Sequence, residues 1–120
     1  MAKILIVDDS AFARNTLRMV VEKGGHEVVG RAENGLKAME LFKTLRPELV
    51  TLDYLMTGMN GDLVLDEILE HDASAKVIMI SGSGDHVIGA KALKAGAKGF
   101  LEKSFVSRDI LKVIDQVMLA

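Results

Sequence analysis

Five short apolar runs alternate with five stretches of helical spacing, and that alternation leaves a chain of 120 residues few folds to choose from. The runs lie at 4–7, 27–31, 48–53, 76–80 and 99–102 and are rich in Ile, Val and Leu. A continuous apolar run bounded by polar residues fits a strand covered on both faces. Between the runs, apolar residues recur every three or four positions. Ala13, Leu17, Val20 and Val21 predict a helix over 11–23, capped by Ser10 and ended by Gly24-Gly25. After the Asn34-Gly35 turn, Leu36, Met39, Leu41 and Phe42 supply a stripe that stops before Pro47. Leu63, Val64, Leu65, Ile68 and Leu69 predict a mostly buried helix over 62–71. A fourth helix is expected over 85–95, weakened by Gly89 by roughly 1 kcal/mol relative to alanine. Ile110, Leu111, Ile114, Val117 and Met118 stripe a last helix, with Ser107 as its expected cap.

Strands and helices in strict alternation imply right-handed crossovers and a parallel sheet with helices on both faces. The expected architecture is (βα)5, a flavodoxin-like three-layer α/β sandwich with sheet order 2-1-3-4-5. A closed barrel needs about eight such units and about 250 residues. One domain over 1–120 is expected, as a monomer. The chain is 49% hydrophobic and 27% charged with a net charge of −2, so it lacks the basic face of a nucleic-acid or membrane-surface binder. It has no cysteine, which excludes disulfides and thiolate metal sites. With no signal-peptide core and no apolar stretch of spanning length, a cytoplasmic location is expected.

In an open parallel sheet, ligand and catalytic groups collect at the carboxyl ends of the strands. In this topology those ends present Asp8 and Asp9, Asp53, Ser81 and Lys103. Each taken alone has an ordinary reading as a turn, a cap or a surface residue. Their co-occurrence in order, each at a strand end, does not. Three carboxylates at one point repel. A hard cation such as Mg2+ resolves the repulsion, because it takes oxygen ligands and keeps several waters. The lysine and the hydroxyl then fit an anion arriving beside the metal, such as a transferred phosphoryl group attacked by a carboxylate.

The chain resembles a response-regulator receiver domain. The motifs that carry the resemblance are Val7-Asp-Asp-Ser-Ala-Phe-Ala-Arg14, Asp53-Tyr-Leu-Met56 with Met59-Asn-Gly61, Ile80-Ser-Gly82, Ala95-Gly-Ala97 and Phe100-Leu-Glu-Lys103. The resemblance implies that Asp53 accepts a phosphoryl group from a sensor histidine kinase of a two-component system. It implies that Mg2+ is held by Asp9, Asp53 and the backbone carbonyl of Leu55, with Asp8 acting through water. Ser81 would hydrogen-bond the phosphoryl group, Lys103 would pair with it, and Phe100 would be the aromatic switch residue. The protein would be a signalling switch rather than an enzyme, apart from slow self-phosphorylation and self-dephosphorylation. The opening motif is similar to that of the CheY-like chemotaxis regulators. No output domain is expected, so a downstream target, such as a flagellar motor switch component, would read the surface of the fourth helix, fifth strand and fifth helix.

Two positions depart from the family pattern. Thr57 stands where proline is usual, which leaves the loop after Asp53 less rigid. Ser104 stands where the family has a proline joined to the lysine by a cis bond. A cis bond to a non-proline residue costs about 3–4 kcal/mol, so a trans bond, a rebuilt loop and a differently aimed Lys103 are expected in the resting state. The glycine-rich start of the fourth helix makes it a low-stability element suited to switching. His26, His71 and His86 sit on separate elements and read as surface residues. The alternatives are a phosphorelay intermediate, a receiver that is never phosphorylated, a phosphatase of haloacid dehalogenase type and a flavodoxin-like nucleotide binder. The phosphatase is disfavoured by an adjacent Asp pair and a nucleophile on the third strand. The nucleotide binder is disfavoured by a first loop without phosphate-cradling glycines.

Overall fold

The computed structural model describes residues 1–82 and 86–119. Five parallel strands form one sheet: β1 (Lys3–Val7), β2 (Glu27–Ala32), β3 (Leu49–Asp53), β4 (Val77–Ser81) and β5 (Gly99–Glu102). Their order is β2-β1-β3-β4-β5, as the alternation implied. The helices are α1 (Ala11–Lys23), α2 (Gly35–Leu45), α3 (Gly61–His71), α4 (His86–Lys94) and α5 (Val106–Leu119). The expected loop over 81–84 and the expected helix start at Asp85 fall partly outside the described residues. Among the described residues no helix is long and apolar enough to cross a membrane.

Alternating residues of each central strand feed two cores. Leu5, Val7, Val50, Leu52, Val77 and Met79 pack with α2, α3 and α4 on one face of the sheet. Ile4, Ile6, Leu49, Ile78 and Ile80 pack with α1 and α5 on the other. Every residue of β3 and β4 is buried, so any polar group on these strands is withdrawn from water by the layers above and below. This is why Asp53 and Ser81, at the last positions of the two strands, are buried too.

Side-chain caps set the starts of α1 and α2. Ser10 Oγ accepts from the Ala13 N–H at 3.2 Å, and Asn34 Oδ1 accepts from the Lys37 N–H at 2.8 Å. Ser107, by contrast, does not cap α5. A 3₁₀ turn over Lys103–Phe105 leads directly into the helix, the Val106 N–H bonding to the Lys103 carbonyl, and Ser107 lies inside the first helical turn. There is no cis peptide among the described residues, so the Lys103–Ser104 bond is trans. Ser104, unlike proline, has an N–H and free φ, and the chain after Lys103 winds into the 3₁₀ turn.

Two stripe residues face water instead of the core. Leu36 is 81% exposed and Leu63 53% exposed. In α2 the buried arc is Gly35, Ala38, Met39 and Phe42, one position out of phase with Leu36. Met56 shows the opposite: it lies in the loop after β3, yet it is 4% exposed and seated in the core with residues of α2, α3 and α4.

The β3–α3 loop closes on Gly61, whose N–H bonds to the Tyr54 carbonyl at 2.6 Å. A Cβ at Gly61 would lie 2.5 Å from the Asp53 carbonyl oxygen and 2.8 Å from Tyr54 Cα, both backbone atoms that cannot step aside. Gly61 therefore allows α3 to start hard against the end of β3. Gly61→Ala is expected to lower unfolding stability by about 2 kcal/mol, measured by urea titration, because it forces the loop away from the strand end.

Candidate functional site

The sheet edge brings five of the expected residues together. Asp8 follows β1, Asp53 ends β3, Ser81 ends β4 and Lys103 follows β5; Asp9 sits beside Asp8 at the rim. Asp8, Asp53 and Ser81 are buried and Asp9 is exposed. One carboxylate oxygen from each of Asp8, Asp9 and Asp53 lies within 4.8 Å of the others. Among the described residues no other group of three or more His, Asp or Glu is placed to hold an ion. Lys103 Nζ is 3.3 Å from Asp53 Oδ2 and 3.3 Å from Asp8 Oδ2.

Asp8 is held by its own loop and Asp9 by the loop after Asp53. The Ser10 N–H donates to Asp8 Oδ1 at 2.9 Å, and the Arg14 guanidinium donates to the Asp8 carbonyl at 2.7 Å. The Thr57 N–H and hydroxyl both donate to Asp9 Oδ2, at 3.1 and 3.2 Å. Thr57 and Arg14 were not singled out as site residues from the sequence. Arg14 lies in the opening motif, and a hydroxyl four residues past Asp53 was the available signal for Thr57.

The remaining expected residues lie around this centre. Phe100 is half-buried in β5, its ring against α4, where a Cβ on Gly89 would come within 2.6 Å of it. Gly89 thus weakens α4 in propensity but gives the Phe100 ring its seat. Leu55 presents its side chain to solvent at 72% exposure. The three histidines are separate: His26 Nδ1 accepts from the Ala2 N–H at 3.0 Å, His71 meets the Phe42 ring edge-on, and His86 is exposed, 3.8 Å from Glu102.

The electrostatics follow from the crowding. Burial pushes the Asp53 carboxyl up from 3.8 to about 6; the Asp8 charge adds to the rise, Lys103 opposes it, and Asp9 adds a little more. Burial acts to lower Lys103, but Asp53 and Asp8 outweigh it and hold the ammonium above its usual value. One ammonium faces three carboxylates, which leaves the cluster short of positive charge. The donor set is all oxygen, with no nitrogen or sulfur ligand, which fits a hard divalent cation that retains water.

A cluster of this make-up at the carboxyl edge of a 2-1-3-4-5 sheet can be compared directly with known proteins. The sequence profile of the response regulator receiver domain matches residues 4–115. The chain belongs to the response regulator receiver family. Its relatives include the chemotaxis protein CheY of Thermotoga maritima, 41% identical over 115 residues that make up 96% of each chain. CheY of Bacillus subtilis is 42% identical over 116 residues, 97% of each chain. Among solved structures, the response regulator domain of Thermotoga maritima CheB superposes with a TM-score of 0.87 at 32% identity, covering 98% of this chain and 96% of that one. The receiver fold and the relation to chemotaxis regulators of two-component signalling agree with the reading from sequence.

The upward shift of Asp53 has a measurable consequence for the metal-free receiver. The folded protein holds a proton on Asp53 up to about pH 6, the unfolded chain only to about 3.8. Between those values the folded state binds more protons, so this group's contribution to stability falls as pH rises through the window. In Mg2+-free buffer, the wild type is expected to gain stability relative to Asp53→Asn as pH is lowered from about 7 to about 4, measured by urea unfolding. Parallel profiles for the two proteins would mean that Asp53 is an ordinary carboxyl.

Proposed function

We propose that this receiver is a phosphorylation switch in chemotaxis signalling, in which Asp53 takes a phosphoryl group from a sensor histidine kinase. The observation that carries the proposal is the triangle of Asp53, Asp8 and Lys103. It combines a buried nucleophile, a second carboxylate that makes the site hungry for a cation, and an ammonium 3.3 Å from both.

Mg2+ is the cation the oxygen donors fit; Asp9, Asp53 and the Leu55 carbonyl would hold it, and Asp8 would act through a bound water. When bound, it supplies positive charge for the oxygens of the incoming phosphoryl group. The remaining work falls to the chain. An Asp53 oxygen forms the new bond to phosphorus as the bond from phosphorus to the donor's histidine nitrogen breaks, and the nitrogen keeps the electron pair. Lys103 exchanges its carboxylate partners for a phosphoryl oxygen, which its reach to Asp53 already allows. Ser81, at the end of the neighbouring strand, donates its hydroxyl to another oxygen. As Ser81 moves toward the phosphoryl group, Phe100 turns inward from its place against Gly89, and the surface of α4, β5 and α5 changes shape. The switch works by biasing that surface between two arrangements, one of which binds a downstream target such as a flagellar motor switch protein. The chain acts as a receiver domain over 1–120, monomeric and cytoplasmic.

Intact-protein mass after incubation with a small phosphoryl donor tests the proposal. The wild type is expected to gain one phosphoryl group only when Mg2+ is present, and Asp53→Asn is expected to gain none. A wild type that stays unlabelled under conditions that label other receivers would contradict it and favour a receiver that binds partners without phosphorylation.

A further inference from the structure

We infer that Thr57 is a positioning residue for the metal site: its hydroxyl and its N–H strap the loop after Asp53 to Asp9 and so preset the Mg2+ ligands. The inference rests on the Mg2+ reading given above. Its starting point is a pair of contacts between loops 48 residues apart. Thr57 Oγ1 and the Thr57 N–H both donate to the same oxygen, Asp9 Oδ2, at 3.2 and 3.1 Å. Among the described residues no other hydrogen bond joins the Asp9 loop to the loop after Asp53.

The need for such a strap follows from the exposure and charge of Asp9. Asp8 and Asp53 are buried and have little freedom to leave the cluster. Asp9 is exposed, and it carries the same charge as two neighbours whose oxygens lie within 4.8 Å. Repulsion and solvation both draw such a side chain outward. Two donors on one of its oxygens oppose that and leave its second oxygen uncommitted by them. The same residue acts on the other loop. Met56 is sunk in the core and Thr57 is tied to Asp9, so the loop is pinned at two consecutive positions. Leu55, whose carbonyl is the remaining protein ligand of the proposed site, directly precedes them. A ligand set held in place before the metal arrives loses less freedom on binding.

Proline at this position could make neither bond, since it has no N–H and no hydroxyl. In this chain hydrogen bonding takes over the restraint that a fixed φ supplies elsewhere in the family. The restraint also differs in kind, because it ends on a metal ligand and not on the loop alone.

Mg2+ binding to the unphosphorylated full chain separates the possibilities. Titration calorimetry with MgCl2 gives Kd, and the fluorescence of Tyr54, the single tyrosine in a chain without tryptophan and the neighbour of Asp53, gives an independent signal. Thr57→Val removes the hydroxyl and keeps the N–H; Thr57→Ser restores the hydroxyl. Loss of one such bond is expected to raise Kd for Mg2+ about 5-fold in Thr57→Val, with Thr57→Ser within about 2-fold of the wild type. Thr57 is exposed, so Mg2+-free urea unfolding of all three proteins is expected to coincide. A Thr57→Val protein that binds Mg2+ as tightly as the wild type, or more tightly, overturns the inference: the bonds would then be idle or would compete with the metal. A wild type that binds no Mg2+ by either signal removes the metal reading itself, and the strap falls with it.

Discussion

Three carboxylates share one end of an apolar sheet with a single ammonium, and much of the molecule is arranged to hold them there. Burial of β3 on both faces takes Asp53 out of water. The fold places β1 beside β3, so Asp8 and Asp9 arrive next to it, and β5 delivers Lys103 across β4. Isolated carboxylates at this spacing would protonate or separate. Neither relief is complete here. Asp8 and Asp53 are fixed by the strands, and Lys103 lowers the repulsion without cancelling it. The resting state is therefore tense at one edge, and an added cation or a rearranged charge is worth more to it than to an ordinary surface.

The scaffold confines that tension to the loops. The strands below the edge are packed without polar interruption on the α2–α3–α4 face, and the hydrogen-bonded helix caps at Ser10 and Asn34 settle the starts of α1 and α2. Above them, the β3–α3 loop is closed by Gly61, anchored by Met56 and tied to Asp9 through Thr57. The turn after Lys103 is built differently from a proline-bearing one. It is a trans, 3₁₀ lead into α5 that still brings Nζ within 3.3 Å of both Asp8 and Asp53. The expected re-aiming of Lys103 is not seen: with a trans bond to Ser104 the ammonium still meets both carboxylates.

The parts of this arrangement that rest on local rules were legible in the sequence. An apolar run ending on a carboxylate states both burial and charge, so Asp8, Asp53 and their strands could be placed without coordinates. The span of α1 follows from a serine before it and paired glycines after it. Misreadings arose where apolar character and burial part company. Leu36 looked like core because it is apolar and three residues before Met39, yet the small residues Gly35 and Ala38 share the buried arc with Met39 and Phe42. Met56 lies in a loop with no periodicity to report its burial. Ser107 has the chemistry of a cap, but the 3₁₀ turn before it moved the helix start. The Thr57–Asp9 contact spans 48 positions and depends on where two loops meet in space, which no spacing rule contains.

The central claim is that Asp53 is a carboxylate under pressure from burial and from Asp8, and that a cation relieves the pressure. The most direct measurement is the 13C chemical shift of the Asp53 carboxyl followed against pH, without and with saturating Mg2+. The account predicts a midpoint of about 6 in the metal-free protein and a clear fall in that midpoint when Mg2+ is present. A midpoint near the ordinary 3.8, unmoved by Mg2+, would contradict it.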